Sequence, residues 1–178
     1  MNLTKDDLHS ISNKINSQLK DFFKHESFEY KKAYTNIFLP IQKFNEINLF
    51  PLINTIRSAG GKVCVNKSDF INHEMTGYLF EDMNQITTNN YGIPEPTFGK
   101  VVDTPEIDFV VVPLLAFNSK GYRVGYGKGF YDKFLSQCNK KCIFIGVNHF
   151  GETTEFTNIA PHDIPLHFVI TPEKIYEI

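Results

Sequence analysis

Between Gly121 and Asp132 the chain reads Gly-Tyr-Arg-Val-Gly-Tyr-Gly-Lys-Gly-Phe-Tyr-Asp. Gly125, Gly127 and Gly129 alternate there with Tyr126 and Lys128. Backbone without side chains can approach an anion closely, and amides at a helix start can hold phosphate. Arg123 and Lys128 add two cations beside those amides. Asp132 adds a carboxylate where a magnesium ion can sit. Together these groups suggest nucleotide phosphate chemistry. The glycine spacing is not Gly-x-Gly-x-x-Gly, so the motif is not the dinucleotide fingerprint. Nor is it a Walker loop, because the Lys lies between glycines and no Ser or Thr follows it. Alternating glycines also serve tight turns; the nearby cations and carboxylate are what favour a ligand.

The elements around this loop suit that role. The apolar stretch Ile107 to Leu115 predicts a strand buried on both faces, as in parallel sheets, and Phe130 to Cys138 predicts a helix after the loop. Strand, glycine loop, helix is the order that brings ligands to the C-terminal ends of strands. Upstream, Thr4 caps a helix with Asp6 and Asp7 in its first turn. Its apolar positions Leu8, Ile11, Ile15, Leu19, Phe22 and Phe23 recur at helical spacing towards Lys24. A strand is predicted at Asn36 to Leu39, ended by Pro40, and a helix at Ile47 to Ala59, stopped by Gly60-Gly61. Further strands are predicted at Lys62 to Val65, Met75 to Phe80, Cys142 to Val147 and His167 to Thr171, with a Pro/Gly-rich loop over Asn89 to Gly99. Alternating helices and strands predict an α/β fold: three α/β/α layers around a mainly parallel, Rossmann-like sheet.

Composition sets limits. A chain of 178 residues fits one domain over 1–178, and 42% hydrophobic content with 17 Phe supports a core. A net charge of -2 argues against a nucleic-acid binder. No apolar stretch approaches the roughly 20 residues that span a bilayer, and the polar start is no signal peptide. Three cysteines without metal spacing fit a reducing, cytoplasmic compartment.

The segment Val111 to Leu135 closely resembles the signature of 5-formyltetrahydrofolate cyclo-ligase, also called methenyltetrahydrofolate synthetase. Gly92-Ile93-Pro94-Glu95-Pro96 is similar to a second element of that family, and Ala160-Pro161-His162-Asp163 to its C-terminal His-Asp element. The resemblance implies a fold like that of sugar-phosphate isomerases and CoA-transferases. It also implies small-molecule substrates: ATP with magnesium, and a reduced folate, 5-formyltetrahydrofolate, converted to its 5,10-methenyl form with release of ADP and phosphate. The chain is expected to act as a monomer or weak homo-oligomer.

Carried over by motif, Arg123, Val124, Gly125, Tyr126, Gly127, Lys128, Gly129, Phe130 and Tyr131 form the ATP loop, joined by Lys5 and His9 on the first helix. Lys128 and Arg123 neutralise charge on the transferring phosphoryl group. Asp132 and Asp163 hold magnesium. Leu39, Glu46 and the run Tyr126 to Phe130 face the folate, with Glu46 suited to pterin donors. Simpler roles stand beside these. Asp132 and Glu46 also read as acids answering helix dipoles, and Asp163 as a turn cap. One of Phe130 and Tyr131 reads as core, as does Cys64.

The first helix departs from the family pattern. His9 stands where an Arg is usual, and Asp6 and Asp7 oppose a polyphosphate. Two rival readings follow: a non-catalytic nucleotide- and folate-binding homologue, and a sugar-phosphate isomerase-like enzyme. The second is disfavoured because no nucleophilic Glu lies in a glycine-rich setting.

Overall fold

The computed structural model describes residues 3–24, 32–151, 156 and 158–178. The first helix, α1, spans Lys5–Lys24. Its cap is reciprocal: the Asp7 amide donates to Thr4 Oγ1 at 3.1 Å, and the Thr4 amide donates to Asp7 Oδ2 at 2.9 Å. Strand β1 is Tyr34–Ile37 and helix α2 is Phe50–Ser58, with Pro51 in its first turn. Strands β2 (Lys62–Asp69) and β3 (Glu74–Leu79) form an antiparallel hairpin. Short strands β4 (Ile86–Thr88) and β5 (Pro94–Pro96) pair with each other, so part of the expected Pro/Gly loop is strand. Then come β6 (Val101–Val102), β7 (Phe109–Pro113), β8 (Ala116–Phe117) and β9 (Arg123–Val124). Helix α3 is Phe130–Gln137, followed by β10 (Ile143–Val147), β11 (Phe168–Ile170) and β12 (Ile175–Glu177).

The main sheet runs β12-β11-β10-β7-β1-β2-β3-β6. Its centre, from β11 to β2, is parallel, and both edges are antiparallel. The expected α/β class with a mainly parallel sheet is what the chain adopts, with hairpin edges where strict alternation of helix and strand was expected.

Strand β7 explains the layers. Phe109 and Val111 join one core with Ile15 and Leu19 of α1 and Leu52 and Ile56 of α2. Val110 and Val112 point the other way, into a core with Phe134 and Leu135 of α3. A strand covered on both faces reads as a continuous apolar run, because period-two alternation has no solvent side to report. Among the described residues no helix is long and apolar enough to cross a membrane.

Candidate active site

The parallel strands end at one rim, and a cleft of about 670 Å³ opens there. Phe38 and Leu39 follow β1 into it, and Pro113 closes β7 beneath it, which is where open α/β sheets place ligands. Residues 123–132 form one wall. Across from them stand Phe70 from the β2–β3 turn and Tyr91 and Ile93 from the turn before β5.

Gly127 (φ 76°) and Gly129 (φ 68°) both lie in the left-handed region, where a Cβ is strained. Nothing lies within 4 Å of where either Cβ would project. Gly129 is the residue before α3, and its carbonyl accepts the first helical bond, from Lys133 N at 3.1 Å. Among the described residues, the amides of residues 125–131 donate to no protein acceptor. A run of free amides opening into a helix start suits an anion.

The two cations of the loop are held differently. Arg123 is pinned: one guanidinium nitrogen donates to the Ile164 carbonyl at 2.6 Å, and another to Asp132 Oδ1 at 2.8 Å. Asp132 Oδ1 also accepts from the Ile164 amide at 3.0 Å. The Arg123 side chain is 6% exposed and the Asp132 side chain 22%. Lys128 makes no ion pair among the described residues. Its ammonium lies 5.2 Å from the Phe70 ring centroid and 5.9 Å from that of Tyr91.

Glu46 is buried at the cleft rim, its Oε2 accepting from the Ile41 amide at 2.8 Å. Burial raises its carboxyl above the usual range, and the Ile41 amide and the Tyr126 hydroxyl pull it partly back. Burial and the neighbouring Glu46 carboxylate in turn raise the Tyr126 phenol. The Tyr131 phenol is raised by the same two causes. Glu46 precedes α2 by four residues, so the helix-start role expected of it does not hold. Phe44 stacks on Tyr126 at 4.8 Å beside it.

Asp132 and Asp163 both line the cleft. The two Asp132 bonds fall on Oδ1. Asp163 closes its own turn, accepting the Ala160 amide on Oδ2 at 2.8 Å. One or two carboxylates beside phosphate oxygens is how proteins usually hold magnesium, so the donor set fits that ion. No group of three or more metal-ligating side chains occurs among the described residues.

Of the residues singled out in the sequence, Leu39, Glu46, Asp132, Asp163 and all of residues 123–131 share this cleft. Lys5 and His9 do not: both are exposed on α1 and line neither this cleft nor its neighbour. Leu3, just before the helix, lines the neighbouring cavity of about 420 Å³ with His149 and Phe150. Phe70, Tyr91 and Lys43 were missed. Their only sequence signal is an aromatic or Lys beside turn residues, which is too common to point to a site.

A family model described as the 5-formyltetrahydrofolate cyclo-ligase family matches residues 3–172. A 5-formyltetrahydrofolate cyclo-ligase of Mycoplasma genitalium is 42% identical over 69 residues, 39% of this chain and 41% of that protein. One of Escherichia coli strain K12 is 29% identical over 136 residues, 74% of this chain and 75% of that protein. The match thus spans less than half of the first relative and three quarters of the second. The NMR structure of Aquifex aeolicus 5,10-methenyltetrahydrofolate synthetase superposes with a TM-score of 0.74 at 25% identity, covering 98% of this chain and 84% of that one.

Proposed function

Because the chain belongs to the 5-formyltetrahydrofolate cyclo-ligase family of ligases, we propose that it converts 5-formyltetrahydrofolate to 5,10-methenyltetrahydrofolate, using ATP and magnesium and releasing ADP and phosphate. The observation that carries this reading is the single cleft in which open glycine amides, a Lys128 with no ion pair among the described residues, the buried Glu46 and two carboxylates converge.

The formyl oxygen is a poor leaving group. Transfer of the ATP γ-phosphoryl to it makes it a good one. The neighbouring folate nitrogen then attacks the formyl carbon, and phosphate leaves. Such chemistry asks the protein for position and charge rather than for a nucleophile. The amides of residues 125–131 cradle the phosphates, and Lys128 faces the charge that develops on the transferring group. Asp132 and Asp163 would hold magnesium, which would supply positive charge to offset that of the phosphates. Glu46 accepts from pterin ring donors, and Leu39 and Phe130 pack the ring. Arg123, neutralised by Asp132, anchors the loop more than it meets phosphate. Lys5 and His9 reach the nucleotide only from beyond the cleft.

The same reading makes residues 1–178 one catalytic domain acting on small molecules, as a monomer or weak homo-oligomer. Three free thiols support a reducing, cytoplasmic setting. Purified protein given 5-formyltetrahydrofolate, ATP and magnesium should produce the absorbance of the methenyl product, and omission of ATP or addition of a chelator should abolish it. Binding of both substrates without product would replace this reading with that of a non-catalytic homologue.

A further inference from the structure

We propose that Phe70 and Tyr91 are positioning residues: they form an aromatic seat that aims the Lys128 ammonium into the cleft without neutralising it. This rests on Lys128 acting on phosphate as described above.

Lys128 needs such support. It stands between Gly127 and Gly129, both at positive φ and both with open space where a Cβ would project, so its neighbours in the chain carry no side chain to brace it. Among the described residues, its side-chain contacts come from remote turns. Phe70 and Tyr91 stack with centroids 4.2 Å apart and planes 29° apart, and the ammonium lies within reach of both faces. Cation–π attraction acts within about 6 Å of a ring centroid.

Each ring is itself fixed. Phe70 rides on the β2–β3 turn, where Asp69 Oδ1 accepts from the Ile71 amide at 2.8 Å and the Asn72 amide at 3.2 Å. Lys133 of α3 ties down the same turn, donating to the Asn72 carbonyl at 3.0 Å and pairing with Glu74 at 2.9 Å. Phe130 meets the Phe70 ring edge-on at 5.2 Å. Tyr91 rides on a turn closed by Asn89, whose Oδ1 accepts the Tyr91 amide at 2.9 Å, and its carbonyl accepts from Lys43 at 2.5 Å.

The chemistry favours rings over a carboxylate. An acidic partner would fix Lys128 but cancel the charge that the phosphoryl group needs. A ring face attracts the ammonium through its quadrupole and carries no net charge, so the positive charge and the outward N–H groups stay available.

The test compares Phe70→Leu and Tyr91→Leu with the ring-keeping Phe70→Tyr and Tyr91→Phe. In NMR spectra the Lys128 ε-methylene protons, assigned through Lys128→Arg, should resonate upfield under the ring current and relax towards the free position in the Leu variants. With saturating ATP and folate, each Leu variant should lose about tenfold in kcat at an unchanged folate KM, and the ring-keeping variants should retain wild-type turnover. Leu variants with wild-type kcat overturn the proposal. A raised folate KM with kcat intact does so too, and marks the rings as folate contacts. So does a Lys128 methylene that shows no ring-current shift. If wild-type protein makes no product, the functional reading falls separately. The seat is then judged on ATP affinity by calorimetry, which the Leu substitutions should weaken about tenfold and ring-keeping ones should preserve.

Discussion

Arg123 and Lys128 carry the same charge on the same glycine loop, yet the molecule treats them in opposite ways. Arg123 is nearly dry and matched by Asp132 and the Ile164 carbonyl, so it ties β9, α3 and the segment before β11 into one corner. Lys128 lies over two uncharged rings and makes no ion pair among the described residues. The neutralised cation braces the corner, and on the function proposed above the other is the one that meets phosphate. Proximity to a phosphate motif does not by itself separate the two roles; the partner of each cation does.

The largest expected effect tests the acting side. Lys128→Met should lower kcat by about 100-fold or more, the scale of losing one preorganised charge-stabilising donor. Its Tm should stay near wild type, because no ion pair is broken. A large fall in Tm would blur the contrast. Arg123→Met should do the reverse and cost mainly stability. The pair lies between an exposed one, worth about 0–1 kcal/mol, and a fully buried one, whose rupture costs about 3–5 kcal/mol. A loss of about 2 kcal/mol in denaturant unfolding is therefore expected. If Arg123→Met unfolds like wild type and abolishes turnover, Arg123 belongs with Lys128 after all.

Glu46 extends the contrast to a carboxyl desolvated with no cationic partner among the described residues. Its raised pKa means that the folded state holds the proton more tightly than the unfolded one. Its favourable contribution is present below the ordinary carboxylate range and is lost as pH rises through the raised value. Glu46→Gln should thus stabilise the protein at pH 7 by about 1 kcal/mol while impairing folate binding. The gain should vanish on acidification; equal Tm differences at pH 4 and pH 7 would count against it. The smallest effect concerns the Arg123 corner from behind. His167 Nδ1 accepts from the Phe144 amide at 2.9 Å, and burial lowers its pKa. That contribution is present above the usual His value and lost as pH falls through the depressed one. Mild acid should loosen the 164–168 segment, seen as faster amide exchange at Phe144, while leaving the Lys128 ring-current shift in place.

Much of the sheet was legible because central parallel strands announce themselves. Val110 to Val112 and Phe144 to Val147 have no polar side to hide. Strands β6, β8, β9 and β12 are two or three residues long, too short for any period to show. Lengths shifted where pairing rather than composition decides: β2 continues through the polar Asn66 to Asp69 because β3 completes its ladder. In the site, the loop and its carboxylates were readable as neighbours in sequence. The Arg123–Asp132 pair falls outside helical spacing, and the stack of Phe70 on Tyr91 exists only because two separate turns meet. Lys5 and His9 were carried over by motif position as nucleotide contacts, and both stand exposed on α1, outside the residues that line this cleft.

Strand β7 gives side chains to both hydrophobic cores and sits between two parallel neighbours. Neither core can open without it, so the halves of the molecule should melt as one cooperative unit. Amides of residues 109–113 should exchange only through global unfolding, while those of the rim turns exchange through local opening. The cleft thus rests on a floor that yields last, so local opening at its upper edge need not disturb the foundation.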